Sequence, residues 1–248
     1  MVEAFIVGWN ESETIHLTLK HYFGFCEKVT LFDNYSNDGT PDIARSMGAE
    51  VKHFGTPGVL SDDDYLTVKN NCWKKSKADW VIIVDADEIL WDGHNLYSGP
   101  TTGDHLYKAS DSGATIIKTI GFDVVSHEMP RLNFFEVQNG YRNENYSKLA
   151  VFNPKEIKEI NYKYGCHVAK PTGNVVYADS SLLLMHYRNI GGPQRLVDRH
   201  ALYRPRMSEK NKRFGLGCHY EYSDEQRVKE WEEKFSGSQD LLLLGGLL

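Results

Sequence analysis

Two carboxylates, Asp85 and Asp87, stand two residues apart after the apolar run Trp80-Val81-Ile82-Ile83-Val84. If the chain turns after that run, both carboxylates can reach one cation. Hard oxygen ligands of this kind suit magnesium, manganese or calcium. A divalent ion beside a nucleotide diphosphate neutralises its charge and stabilises it as a leaving group. The D-x-D spacing is common by chance. Its weight comes from its place, after an all-apolar run that is fourth in a regular series. A solvated acidic turn with helix-capping aspartates has the same composition, and that alternative stays open. Glu88 suits support of the ligands from behind or the first turn of a helix.

The elements that position these residues are legible in the first 90 residues. Residues 4–9 form a short apolar strand. Residues 11–23 predict a helix, because Ile15, Leu19, Tyr22 and Phe23 share one face, and Gly24 can end it. Residues 28–33 predict a second strand. Residues 41–47 predict a short helix with Pro41 in its first turn and Gly48 after its last. Residues 51–54 predict a third strand. Ser61 is a good N-cap for a helix reaching about residue 77, with Asp62, Asp63 and Asp64 in its first turn. Residues 80–84 are apolar throughout, as a strand buried on both faces should be. The alternation predicts an α/β fold with a parallel sheet flanked by helices and right-handed crossovers. Ligands bind such sheets beyond the C-terminal strand ends. Three polar endings gather there: Asn10-Glu11, the Asp33–Thr40 turn, and Asp85-Ala86-Asp87-Glu88.

The second half predicts strands at residues 115–125, 134–138, 148–152, 174–177 and 182–187, in a mixed or antiparallel arrangement. Helical pattern returns at 193–203 and 225–235. Residues 93–104 are expected to be a loop. The apolar end, residues 241–248, suits docking on the body or the start of a further domain.

Composition narrows the class. The 248 residues carry 28 Lys and Arg against 34 Asp and Glu, a net charge of -6, which argues against a nucleic-acid binder. No run approaches the ~18–20 apolar residues of a membrane span. The chain opens on Ala4-Phe5-Ile6-Val7, too short for the apolar core of a secretory signal. Cysteines 26, 72, 166 and 218 lack metal-site spacing and are expected as buried free thiols. A cytoplasmic protein is the expectation.

Val7-Gly8-Trp9-Asn10-Glu11, Phe32-Asp33-Asn34-Tyr35-Ser36-Asn37-Asp38-Gly39-Thr40 and Ile83-Val84-Asp85-Ala86-Asp87-Glu88 together resemble the glycosyltransferase family 2-like group with the GT-A fold. Lys148-Leu149-Ala150-Val151-Phe152-Asn153-Pro154, Gly165-Cys166-His167 and Met185-His186-Tyr187 are similar to later segments of that group. The resemblance implies one GT-A domain over residues 1–240, with a nucleotide-binding half to residue 92 and an acceptor-binding half after it. It implies transfer of a sugar from a nucleoside diphosphate sugar, with UDP, to a hydroxyl of a glycan or glycoprotein, with inversion. Asn10, Glu11, Asp33 and Asn34 would face the nucleotide, and Asp85 and Asp87 would hold Mn2+ or Mg2+ on the diphosphate. A further ligand is expected from a C-terminal histidine, His186 or alternatively His167. Many members carry a second Asp where Asn34 stands, so base recognition is expected to differ here.

Lys148 is expected at a donor phosphate, although a surface lysine fits equally. The stretch Arg188 to Arg213 holds eight Lys or Arg against two acids. It suits a diphosphate contact or a lid, or a solvated helix face with ion pairs. Gly191-Gly192-Pro193 suits a hinge and helix start. An inverting transferase needs a carboxylate within reach of the acceptor hydroxyl. Asp123, Glu128, Glu136 and Asp179 are candidates, and Asp123 is the expected base because it follows a predicted strand after the metal motif, although a turn or capping role fits it too. The expected assembly is a monomer or part of a longer multidomain chain.

Two other classes fit part of the pattern. A metal-dependent phosphotransferase or hydrolase also uses a carboxylate pair, but the first strand ends in Asn-Glu and no G-x-x-x-x-G-K-[ST] loop is present. A non-catalytic sugar-binding module would tolerate Asp87→Asn without loss of nucleotide affinity.

Overall fold

The computed structural model describes residues 1–93 and 102–241. Its first part alternates β1 (Val2–Gly8), α1 (Ile15–Phe23), β2 (Lys28–Asp33), α2 (Thr40–Ser46), β3 (Glu50–His53), α3 (Asp62–Asn71) and β4 (Trp80–Asp85). The strands lie in the order β3-β2-β1-β4, all parallel. Successive side chains of a strand point to opposite faces. Ile6, Ile82 and Val84 accordingly pack in one apolar cluster, and Phe5, Val81 and Ile83 in another. Burial on both faces is why β4 reads as an unbroken apolar run.

Two helices are shorter than their patterns predict. Residues 11–14 stay outside α1 because the Glu11 and Ser12 amides donate to Thr40 and Asp38 of the turn after β2. The end of α3 comes at Asn71, after which turns bring the Asp79 amide to the Met1 carbonyl and start β4.

The second part holds β5 (Glu88–Trp91), α4 (Thr102–Asp111), β6 (Ile116–Ile117), β7 (Thr119–Val125), β8 (Asn139–Arg142), β9 (Val151–Phe152), β10 (Ile157–Glu159), β11 (Thr172–Gly173), β12 (Leu182–Asn189), α5 (Gly192–Tyr203), α6 (Glu209–Phe214), α7 (Asp224–Ser236) and β13 (Gln239–Asp240). Strand β9 extends the first sheet antiparallel to β4, and β6 pairs antiparallel with β9 at its edge. A second sheet has the order β13-β8-β7-β12-β5, with β7 and β12 parallel and its other pairs antiparallel. Strands β10 and β11 pair apart. Ile89, Val124 and Leu184 of the second sheet share the apolar cluster of Ile6 and Ile82. The result is the parallel-rich α/β layout, with a mixed C-terminal part, expected of the GT-A fold.

Several local expectations are corrected. Glu88 starts a strand rather than a helix, because β5 finds a partner in β12. Residues 134–138 are not a strand: the Asn133 side chain accepts from the Phe135 amide and closes a 3-10 turn at Phe134–Glu136. Residues 174–177 contribute only a bridge from Tyr177 to Ile116. Within the expected 93–104 loop, Thr102 already begins α4, and residues 94–101 lie outside the described ones. So do residues 242–248 of the apolar end, while Leu241 is buried. Cys26 and Cys166 are buried, Cys72 is half-buried and Cys218 is exposed, all as free thiols. Among the described residues no helix is long and apolar enough to cross a membrane.

Candidate functional site

A cavity of about 150 Å³ opens at the C-terminal ends of β1 and β4. Its walls are Gly8 at the end of β1, Trp9 and Glu11 after it, the Asp85-Ala86-Asp87 turn, His186 and Arg188 of β12, and Arg199, His200 and Tyr203 of α5, with Tyr220 closing one side. This is where a parallel α/β sheet places its ligands. A Cβ on Gly8 would stand 3.0 Å from Ala86 Cβ, a tight contact that the close approach of the two strand ends avoids with a glycine.

Asp85 and Asp87 face different partners. Lys69 Nζ of α3 lies 2.5 Å from Asp85 Oδ1, and Lys148 Nζ lies 3.2 Å from Oδ2. Lys148 also pairs with Glu88 Oε1, and Glu88 Oε2 accepts the Asp85 amide at 2.9 Å. Burial alone would raise the Asp85 carboxyl pKa, but the two lysines outweigh it and hold the group well below the usual carboxylate range. Lys148 is therefore not a surface lysine at a phosphate. It is buried, absent from the cavity wall, and balances Asp85 and Glu88. A carboxylate has about four lone-pair sites, so Asp85 keeps acceptor capacity beyond its two lysines.

Asp87 faces His186, with Oδ2 3.7 Å from Nε2. Strand pairing explains the position of His186: it lies opposite Glu88 of β5 on one side and Asp123 of β7 on the other. Burial would lower the imidazole pKa, but Asp87 and Asp123 outweigh it and raise it. The ring of Tyr146 stacks on His186 with centroids 4.0 Å apart. His167, the alternative ligand, is exposed and off the cavity wall. Asp123, the expected base, has no exposed surface and lies behind His186, outside the lining. An acceptor hydroxyl in the cavity does not reach it.

Among the described residues no three His, Cys, Asp or Glu side chains already stand at metal-binding distance. The Asp87 carboxylate on the cavity wall, with Asp85 adjacent in the same turn, suits manganese or magnesium, and of the two the His186 imidazole beside it favours the softer manganese.

The expected nucleotide contacts divide. Asn10, in the left-handed region at φ 53°, exchanges hydrogen bonds with Asn37 at 2.8 and 2.9 Å. It lines a second cleft of about 360 Å³ with Trp9, Tyr35, Asn37 and Arg206. Glu11 lines the first cavity but is held in a bidentate pair with Arg199, at 2.9 and 2.6 Å. Burial still pushes its carboxyl pKa upward. Asp33 and Asn34 have no exposed surface. Asp33 accepts from the Ser36 amide at 2.9 Å and from its hydroxyl, and Asn34 accepts from Arg206 Nη2 at 2.5 Å. In this form both hold the turn rather than face a cavity.

The basic stretch supplies residues that the motifs did not single out. Arg188 makes no ion pair among the described residues. Its Nη2 lies 2.6 Å from His200 Nε2, and the Tyr220 ring is 5.2 Å away. Burial first and Arg188 second push the His200 pKa far down, so His200 is a neutral acceptor. Arg206 lies over the Trp9 ring at 3.4 Å. Other members of the stretch form outward pairs, Arg195 with Glu13 and Lys210 with Asp63. The ion-pair reading of this stretch thus holds for Arg195 and Lys210, while Arg188 and Arg199 stand on the cavity wall. Local basicity was the signal for Arg188 and Arg199; nothing in the sequence marked Lys69 or Tyr146.

No protein-family model matches the chain. Among curated proteins it is similar to an uncharacterized glycosyltransferase of Rickettsia prowazekii (strain Madrid E), 32% identical over 92 residues, covering 36% of this chain and 28% of that protein. The match thus spans less than a third of that relative's length. Among solved structures it is similar to S. aureus TarS 1-349, with a TM-score of 0.41 at 12% identity over 83% of this chain and 65% of that one. It is also similar to mannosyl-3-phosphoglycerate synthase from Rubrobacter xylanophilus, with a TM-score of 0.34 at 16% identity over 52% and 40% of the two chains. A third is glucosyl-3-phosphoglycerate synthase from Mycobacterium tuberculosis, solved with Mn2+, UDP and glucosyl-3-phosphoglycerate, with a TM-score of 0.34 at 15% identity over 49% and 44%.

Proposed function

We propose that the protein is a metal-dependent glycosyltransferase. It moves a sugar from a nucleoside diphosphate sugar, with UDP as the nucleotide, to a hydroxyl of a glycan or glycoprotein, with inversion. One observation carries the reading: Asp87 and His186 share a cavity wall with Arg188, a cation with no acid partner among the described residues, at the C-terminal edge of the parallel sheet. The match to the rickettsial glycosyltransferase supports the class.

Asp87 and His186 would hold the divalent cation, with Asp85 beside them. When bound, the cation neutralises the diphosphate and helps it leave. Arg188 faces the same space and takes a phosphate oxygen by a charge-assisted hydrogen bond. Glu11 and Arg199 tie the end of β1 to α5, which keeps the cavity wall in place. Asn10, Trp9 and Arg206 offer the adjoining cleft to the base and ribose. Asp123 stays ionised behind His186, and the acceptor's proton would pass instead to a carboxylate on the cavity wall, Glu11, Asp85 or Asp87.

Calorimetry with UDP and UDP-sugars, with and without Mn2+, tests this. Binding should require metal and be lost in Asp87→Ala, and Arg188→Ala should weaken it about tenfold or more, the loss of one charged hydrogen bond of ~1.5–3 kcal/mol. Equal binding with and without metal would overturn the reading. NMR of the anomeric product decides between inversion and retention.

A further inference from the structure

We propose that Asp123 is a positioning residue that fixes His186 with its proton on Nδ1, so that Nε2 presents a lone pair to the cavity beside Asp87. This rests on the reading of the cavity as a metal-assisted donor site, and adds to it the device that orients a ligand.

The geometry comes from the second sheet. The parallel pairing of β7 and β12 sets Asp123 beside His186. His186 Nδ1 is buried without a hydrogen-bond partner among the described residues, and Asp123 Oδ1 stands 3.5 Å away. That contact is long for a hydrogen bond, and such bonds tighten when the ligand binds. The carboxylate itself is held on every side. Asn189 Nδ2 donates to Oδ1 at 2.8 Å and the Tyr141 hydroxyl to Oδ2 at 2.9 Å. Lys234 Nζ of α7 lies 3.7 Å from Oδ2 and balances the charge. The extra residue in β12 between His186 and Asn189 lets Asn189 reach back to Asp123. A bulge of this kind re-aims side chains next to a site.

The imidazole thus stands between Asp123 on its Nδ1 side and the Tyr146 ring on its face, with Nε2 toward Asp87. A metal-ligating histidine commonly gives its other N–H to a carboxylate, which fixes tautomer and ring orientation. A fully buried carboxylate with four neighbours suits that task and not proton abstraction from a substrate.

Two readouts test the proposal. Long-range proton–nitrogen NMR of the 15N-labelled, metal-free protein at pH 9 reports the His186 tautomer. Electron paramagnetic resonance of Mn2+ in the presence of UDP reports metal affinity. The wild type should carry Nδ1–H. Asp123→Asn, whose amide can donate, should move the proton to Nε2 and weaken Mn2+ binding about 10- to 100-fold. Tyr141→Phe keeps the carboxylate and should keep the tautomer. A wild-type His186 with Nε2–H overturns the proposal without any variant. So does an Asp123→Asn protein that folds with unchanged tautomer and Mn2+ affinity. If the wild type binds no Mn2+ with UDP, the functional reading fails, and the tautomer still decides whether Asp123 positions His186.

Discussion

Four charged side chains, Asp85, Glu88, Lys69 and Lys148, form a balanced group next to the cavity. Replacing such a group by apolar residues is often neutral, whereas removing one member leaves a buried charge unpaired. Lys148→Met should therefore cost about 3–5 kcal/mol in urea unfolding. The double variant Lys148→Met, Glu88→Gln should recover part of that, because one orphaned charge is gone. Equal losses in both would show that Glu88 does not depend on Lys148. D-x-D was legible because it follows an all-apolar strand. Lys69, on helix α3, was not, and Lys148 was legible as a cation but not as a partner of Asp85, which lies 63 residues away in sequence.

At the scale of elements, one glycine in β7 controls a contact over the site. A Cβ on Gly121 would lie 2.3 Å from Tyr146 C and 2.6 Å from Asn143 O, so the backbone of the 143–147 turn rests directly on the strand. Gly121→Ala must push that turn away, at a cost of about 1–3 kcal/mol. Tyr146 should then lose its stack on His186, and Mn2+-dependent UDP binding should weaken. A distant comparison separates stability from site geometry. Ser223 caps α7 in a reciprocal capping box with Gln226, and Ser223→Ala should cost about 1 kcal/mol while leaving binding intact. If the two variants affect binding alike, Tyr146 is not held through Gly121. The glycines of 191–192, both at positive φ, open α5 where the sequence placed a hinge and helix start. Helix α6 was hidden, because its six residues include only one apolar side chain, Phe214, and that one is exposed.

At the scale of the whole molecule, ligand binding and acidity should both move stability. Mn2+ with UDP at about 100 times the dissociation constant should add ~2.7 kcal/mol, read as a rise in Tm. Neither component alone should match it. Acid should act in the opposite direction. The folded-state pKa values of Asp85, Asp123 and Asp38 all lie below the ordinary carboxylate value. Their stabilising contribution is therefore fully present above an unfolded-state pKa of about 3.9 and is lost as pH falls through the folded values. Urea midpoints measured from pH 6 to pH 3 should drop below about pH 4, and less steeply in Asp123→Asn than in the wild type.

The sequence by itself determined the βα alternation, the parallel sheet and the strand-end location of the acidic motifs, because apolar periodicity and turn residues act over a few neighbours. It also pointed to Asp85, Asp87 and His186, which tertiary structure brings to one cavity wall. The partners of those residues were decided only by tertiary structure. Asp123 was legible as a carboxylate after a strand, yet only the pairing of β7 with β12 placed it behind His186. Asp33 and Asn34 were legible as polar turn residues, yet burial turned them into the frame of that turn. Lys148 was read as a phosphate ligand, and burial beside Glu88 made it a counter-charge. In each case the physical reason is the same: a charged group's role depends on which opposite charges and how much water surround it, and those are set by segments distant in sequence.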